Sequence, residues 1–535
     1  MTKTACRRVC LYLIIIAAMA IFPVLPVGAQ SDLLKEIDMA SPAEKDLSKA
    51  IDSATPSDEK TTSPAAAGND LLKEMDMAAP SAAQPIPKTE TPPSDAGTIL
   101  ASAAEELAGT LKKNLHGSIR LRAFHYFQNA AERDGADTRK DYATALVKFT
   151  DKVKVKNWDF NIGGWLEFGN EENTYAETFF NQAFPDWERR RHLLEINELF
   201  ANYAAADYNV ILGKKAVTNG LSTLFSPSDR LRPQDLNDPM DPKDLNRWQA
   251  RLDYFIDAAT LSAVFLPVYQ DNKGPSDSSR WIGEKKQGDA IEADVYDANN
   301  ANMQEDRPKI TDNNFGYFLR GKTTYKGWDL FASYYHGPNP FYVVREEQRP
   351  GPIPGTTQPV RIKEIIKVDT WATGFSTTHE KWEFHGEALY NYSYSGKDDS
   401  YFSYVGGATY TIDDWAKKVG LEKIDITVEY ANEIVTNFQN AEGYVSSSKK
   451  SRLGRNDILS RVNLEYNDKL SFQFLSNFTL TYGAEGRYQK FLTKYKFRDG
   501  LIGKLGLEIF GGQPDSLYGR WYRNDRVIAE LEYSF

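Results

Sequence analysis

From Gly117 onward, apolar and polar positions alternate with a period of two. The last residues carry the pattern most plainly: Val527, Ala529, Leu531, Tyr533 and Phe535 interleave with Ile528, Glu530, Glu532 and Ser534. Successive side chains on a strand point to opposite faces, so one face here is mostly apolar and the other mostly polar. Read by alternation, the segment predicts eighteen strands: 118–128, 140–151, 157–169, 191–205, 208–213, 247–256, 259–268, 314–326, 328–337, 366–379, 381–393, 401–412, 422–435, 456–467, 469–482, 486–497, 501–510 and 524–535. No clear loop separates the two strands around 476–490, so sixteen is the alternative count.

The connections divide by parity. Those after even-numbered strands are tight, as at Ala206-Asp207, Gly327, Lys381, Asp468 and Arg498-Asp499-Gly500. Those after odd-numbered strands include long polar runs at 170–190, 214–246, 269–313, 338–365 and 436–455. Short turns at one end and long loops at the other build an all-β, antiparallel transmembrane barrel with both chain ends periplasmic. A soluble sandwich gives the same alternation. Export without a stop-transfer helix, and Phe535 in phase with the apolar face, favour the membrane.

The alternation also sorts faces. Trp382, Phe384, Ala388 and Tyr390 are expected toward lipid, as are Ile424, Ile426, Val428 and Tyr430, and Ile458, Val462, Leu464 and Tyr466. Glu383, His385, Glu387, Asp425, Thr427, Glu429, Arg461, Asn463 and Glu465 are expected inward. Arg or Lys on the lipid face costs about 2–4 kcal/mol at the bilayer midplane. Residues 193–203 fit neither frame, which predicts a bulge.

Composition splits the chain in two. Of 28 Phe, 29 Tyr and 10 Trp, only Tyr12 and Phe22 precede Phe124. Residues 1–29, with Lys3, Arg7 and Arg8 before an apolar run and Val27-Gly28-Ala29 at its end, read as a secretory signal peptide. Residues 30–97, rich in Ala, Pro, Ser and charge, read as a disordered periplasmic leader. Within it DLLKEIDMA at Asp32–Ala40 recurs as DLLKEMDMA at Asp70–Ala78. Two such apolar turns on one tether suit a periplasmic protein partner, with an inert duplication as the alternative. Residues 98–115 predict a short amphipathic helix, and 117–535 the barrel.

Candidate chemistry is sparse. The formal net charge of −10 excludes the basic stripe of a nucleic-acid binder. Both cysteines, Cys6 and Cys10, lie in the signal-peptide segment, so the body has no thiolate chemistry. No hydrolase, phosphate-loop or zinc motif appears, so neither enzymatic activity nor a cofactor is expected. His379 and His385 flank a tight turn and are expected at the surface. The segment 214–246 stands out, because Pro227, Pro233, Pro239 and Pro242 stiffen a run carrying both charge signs. Folded inward, it would narrow the lumen, with Arg120, Arg122, Lys214, Lys215, Arg230, Arg232, Arg247 and Arg251 at the constriction. Glu383, Glu387, Asp425, Glu429 and Glu465 would form an acidic lumen wall, and Tyr533 and Phe535 a C-terminal assembly signal. Asp235, Asn237, Asp238 and Asp241 are a weak calcium candidate without EF-hand spacing. The alternative is a soluble external loop.

Asn197–Val217 (NELFANYAAADYNVILGKKAV), with the Ser226-Pro-Ser-Asp229 and Arg232-Pro-Gln-Asp235 steps, resembles the strand-hairpin-loop core of alginate-export-like porins and related proteobacterial outer-membrane barrels. Trp328–Gly337, Thr373–Tyr390 and Leu507–Phe535 extend the resemblance over 117–535. It implies an outer-membrane channel, with a basic lumen in the exporters. The acidic inner strands near the C-terminus, and Lys214 where those families carry Arg, depart from that pattern. The expectation is a passive or loop-gated channel for polar or anionic solutes. The alternatives are a polysaccharide export pore working with a periplasmic partner and a sheath around another component. Oligomeric state is left open.

Overall fold

The computed structural model describes residues 115–130, 138–169, 174–175, 191–192, 194–270, 272–275, 279–283, 303–306, 314–351, 353, 355–444, 454–481, 483–513 and 516–535. The segment expected to be a signal peptide, the duplicated motif and, apart from Leu115, the segment expected to form a helix over 98–115 lie outside them.

Eighteen strands form one sheet. They are β1 (His116–Tyr126), β2 (Asp141–Val155), β3 (Trp158–Gly169), β4 (Leu194–Ala204), β5 (Tyr208–Lys215), β6 (Arg247–Ile256), β7 (Ala259–Leu266), β8 (Gly316–Tyr325), β9 (Trp328–Pro338), β10 (Lys367–His379), β11 (Trp382–Tyr392), β12 (Ser400–Ile412), β13 (Lys423–Asn437), β14 (Asp457–Glu465), β15 (Leu470–Thr479), β16 (Gly486–Arg498), β17 (Leu501–Gly512) and β18 (Arg526–Ser534). Each pairs antiparallel with its sequence neighbours, and β18 pairs with β1 (Leu121 opposite Leu531), so the sheet closes on itself. Closure leaves no unpaired edge, which lipid requires. The 476–490 ambiguity resolves into β15 and β16, paired side by side, which rules out the sixteen-strand alternative.

The outer face is apolar where a bilayer would touch it: Leu121, Leu319 and Leu505 are 50%, 52% and 59% exposed. Two aromatic rows bound this zone. At the short-turn end Trp158 meets Tyr203 at 5.1 Å and Trp382 meets Tyr410 at 4.4 Å. At the long-loop end Tyr334, Trp371, Tyr390 and Phe402 lie opposite one another on successive strands. From Trp382 to Tyr392 is ten residues, about 33 Å along a strand at ~3.3 Å each, or roughly 25 Å along the normal at a ~40° tilt. That is the thickness of an outer-membrane apolar band. The barrel is a transmembrane one.

Two local features refine the sequence reading. The ladder between β3 and β4 skips a residue, Glu198 facing Gly163 and Ile196 facing Gly164, so a bulge sits at Asn197. Ile424 points outward as expected but is covered. The turn after β12 forms a short helix, α1 (Asp414–Lys418), whose Ala416 packs with Leu421, Ile424 and Leu464. Asp414 in its first turn and Lys417 and Lys418 in its last suit the helix dipole.

Candidate functional site

The lumen is crossed by the connection between β5 and β6. Gly213, at φ +129°, starts it: a Cβ there would stand 2.2 Å from the Leu199 carbonyl oxygen. This break in the strand swings Lys214 inward, where its Nζ donates to Glu195 at 2.7 Å. From Val217 the chain leaves the wall. Its prolines set the turns: Pro227 opens a 3-10 turn, and a two-residue ladder pairs Gln234 and Asp235 with Asp244 and Lys243. Leu231 and Val217 pack against Val264, Phe318 and Tyr335 of the wall.

Two inward carboxylates grip one limb by its backbone. Glu387 on β11 accepts from the N–H groups of Leu221 and Ser222, both at 2.6 Å, and from the hydroxyls of Ser226 (2.7 Å) and Ser228 (2.6 Å). Glu429 on β13 accepts from the N–H groups of Thr223 (2.8 Å), Leu224 (2.7 Å) and Phe225 (2.8 Å). His385 Nε2 donates to the same Glu429 at 2.8 Å. His385 is therefore no surface residue: its side chain is fully buried, whereas His379 is exposed. Beside this grip, Arg230 pairs with Glu433 at 3.0 Å and lies over the Tyr401 ring.

The other limb is tied to the seam where the barrel closes. Asp241 takes Arg120 at 2.7 Å and Arg122 at 2.8 Å, and Arg122 continues to Glu530 at 2.9 Å and thence to Lys504. Asp238 takes Arg526 at 3.0 Å, which continues to Glu508 at 2.6 Å and Lys490. Burial alone would raise the Asp241 carboxyl, but Arg120 and Arg122 outweigh it and hold it well below the usual carboxylate range. Lys243 pairs with Glu167 on β3, and Asn197, turned inward by the bulge, accepts from the N–H of Asn246 at 2.8 Å. The seam lies nearly opposite β11, so the segment is strung across the lumen from wall to wall.

The remaining residues singled out by sequence fall around this span. Lys215 lies 4.9 Å from the Phe200 ring, Arg232 pairs with Asp244 at 3.0 Å, and Arg251 pairs with Asp253 at 2.8 Å. Arg247 donates to the Leu231 carbonyl at 2.6 Å. Of the acidic wall, Glu387 and Glu429 meet the loop. Asp425 instead meets Lys423 at 2.8 Å, and Glu383 and Glu465 lie further toward the short-turn end. Asp235 accepts from Asn237, while Asp238 and Asp241 are taken by arginines, so the calcium-candidate carboxylates diverge. Among the described residues no group of potential ligands converges on a metal position. Phe535 pairs backbone to backbone with Gly117, and Tyr533 stands opposite Ile119 on β1.

Sequence reasoning missed Glu167, Glu433, Glu508 and Arg526, whose only signal was a charge at an inward position on a strand. It also missed a second inward segment. Ser279–Gly283, between β7 and β8, reaches the seam, where Arg280 sits over the Tyr126 ring and donates to the carbonyls of Gln128, Arg139 and Arg523. Trp281 packs there against Trp521 of the last long connection.

No protein-family model and no curated protein matches this sequence. Among solved structures, OccK8 (OprE) of Pseudomonas aeruginosa is 12% identical, with a TM-score of 0.40 over 79% of this chain and 98% of that one. OccK3 (OpdO) of the same organism is 12% identical, with a TM-score of 0.41 over 80% and 97%. OccAB1 of Acinetobacter baumannii is 11% identical, with a TM-score of 0.41 over 79% and 96%. A likeness at that level assigns neither a family nor a solute.

Proposed function

We propose that this protein is an outer-membrane channel of a Gram-negative-type bacterium, passing small polar solutes without chemical change. The short turns face the periplasm, and the segment between β5 and β6 sets the bore. The carrying observation is that segment, held across the lumen of a closed barrel by carboxylates on β11 and β13 at one end and by arginines of the seam at the other. Barrels of about eight strands are filled by their own side chains, whereas about sixteen to eighteen strands leave an aqueous channel that an inward segment can narrow. Buried charged staples on the wall hold the segment in one position, which suits a bore of defined size.

The basic residues serve first as staples. Arg120, Arg122, Arg230 and Arg232 each meet a carboxylate, so their field on a passing ion is that of dipoles, not of a bare basic ring. Selectivity then rests on the balance of these pairs, and a preference for anions requires that the guanidinium side face the water. The test is single-channel conductance of the mature protein in a planar bilayer under a salt gradient. Stepwise openings with a defined reversal potential are expected. A folded barrel that never conducts would overturn the channel reading in favour of a sheath.

A further inference from the structure

The outer face is not uniformly studded with large side chains. Across the seam, three neighbouring outward positions are alanines: Ala529 on β18, Ala123 on β1 and Ala143 on β2 stand side by side in register. Ala145 and Gly503 lie in the adjoining row, one on each side of Leu121 and Leu531. Phe168 rises at one edge and Tyr495, Phe497 and Leu505 at the other, and between them lies an open groove of about 830 Å³. Phe168 and Phe497 are 48% and 56% exposed. The volume falls within the roughly 300–1,000 Å³ of small-molecule sites. The groove lies between the two aromatic rows, at hydrocarbon depth.

Its short-turn end carries a cation. Arg498 follows Phe497 directly, is exposed, and lies 5.9 Å from the Tyr533 ring. Among the described residues no carboxylate pairs with it; its neighbour Asp499 is held by Lys496 at 2.6 Å. Tyr533 and Phe535 belong to the aromatic row that marks headgroup level on this side.

We propose that this groove is a phospholipid site. One acyl chain lies over the alanine floor between Phe168 and Phe497, and the lipid's phosphate meets Arg498. Small residues let a neighbour approach the sheet closely, which suits a chain held by dispersion contacts. An unpaired guanidinium at headgroup depth selects the phosphate, and an anionic lipid over a zwitterionic one. A second copy of this chain would also fill the groove, but it supplies no reason for an unpaired arginine at its end.

The test adds dioleoylphosphatidylglycerol to the delipidated, detergent-solubilised full barrel and counts retained lipids by native mass spectrometry. The native protein is expected to keep one lipid. The Ala123→Leu/Ala529→Leu double variant, which fills the floor with residues at home in hydrocarbon, should lose it. Arg498→Gln, which leaves the floor intact, should weaken retention about tenfold, the loss of one charge-assisted contact. Equal retention in all three proteins, or none in the native one, overturns the site. A native oligomer that the double variant dissociates, without bound lipid, gives the face to a second copy. Conductance should be the same in all three, so failure of the channel reading leaves this result readable by itself.

Discussion

Glu429→Gln is the most informative single change. The carboxylate is completely buried and accepts from Thr223, Leu224, Phe225 and His385 at 2.7–2.8 Å. The amide keeps the side chain's shape but turns one acceptor oxygen into a donor. Whichever way it sits, an NH2 group then faces N–H donors. Hydrogen bonds to a charged group contribute about 1.5–3 kcal/mol each and neutral ones about 0.5–1.5. Weakening some of these bonds and losing at least one comes to roughly 3 kcal/mol, since such losses are not additive. At 1.4 kcal/mol per factor of ten, the limb from Leu221 to Ser228 should detach about 100-fold more often. The sheet ladder is untouched, so the thermal unfolding of the barrel should not move. Single-channel recording reads the effect as dwell time in a larger-conductance state, and limited trypsin digestion reads it as faster cleavage after Arg230, since Pro233 protects the bond after Arg232. Native dwell times together with native cleavage rates, in a barrel that has folded, would refute the claim that Glu429 holds the loop.

Asp241→Asn removes one carboxylate shared by Arg120 and Arg122, leaving Glu530 to both, a loss of about 3 kcal/mol from the seam tie, and should shift the reversal potential toward anions as the cluster gains one net positive charge. Because the Asp241 carboxyl is depressed in the folded protein, its contribution is fully present above the ordinary range near ~4 and disappears only as pH falls through its lowered value. The difference in large-conductance dwell time between the native protein and Asp241→Asn should accordingly be the same at about pH 7 and pH 5, and should shrink only in stronger acid. Arg230→Glu with Arg232→Glu sets new carboxylates against Glu433 and Asp244, and should move ion selectivity toward cations. An unchanged reversal potential would place those side chains outside the ion path. Deleting residues 31–97 should leave conductance unaltered; a loss of transport in cells with normal conductance in bilayers would point to the export pore and its periplasmic partner.

The period-two alternation by itself determined the sheet. It located each strand to within a few residues, the parity of turns and loops, and the two faces. In a bilayer the reason is local and severe: each strand must present apolar side chains outward, so the pattern is written into every segment separately. The bulge at Asn197 was legible for the same reason, since an extra residue breaks the period. The prolines of 214–246 marked that segment as stiff. The inward carboxylates Glu387 and Glu429 were legible as lumen positions, though not as a clamp.

What the segment grips was decided only in three dimensions. Arg120 lies 121 residues from Asp241, and Arg526 lies 288 from Asp238. No sequence period links them, because their meeting depends on closing the first strand against the last. Closure brings the two ends of the barrel together, and the alanine floor of the outer groove forms from β18, β1 and β2 only there. His385 shows the same limit. Its position beside a tight turn suggested the surface, but inward alternation and the loop packed over it made it one of the most deeply buried side chains in the barrel. Local pattern sets which way a side chain points, and only the closed structure sets what it meets there.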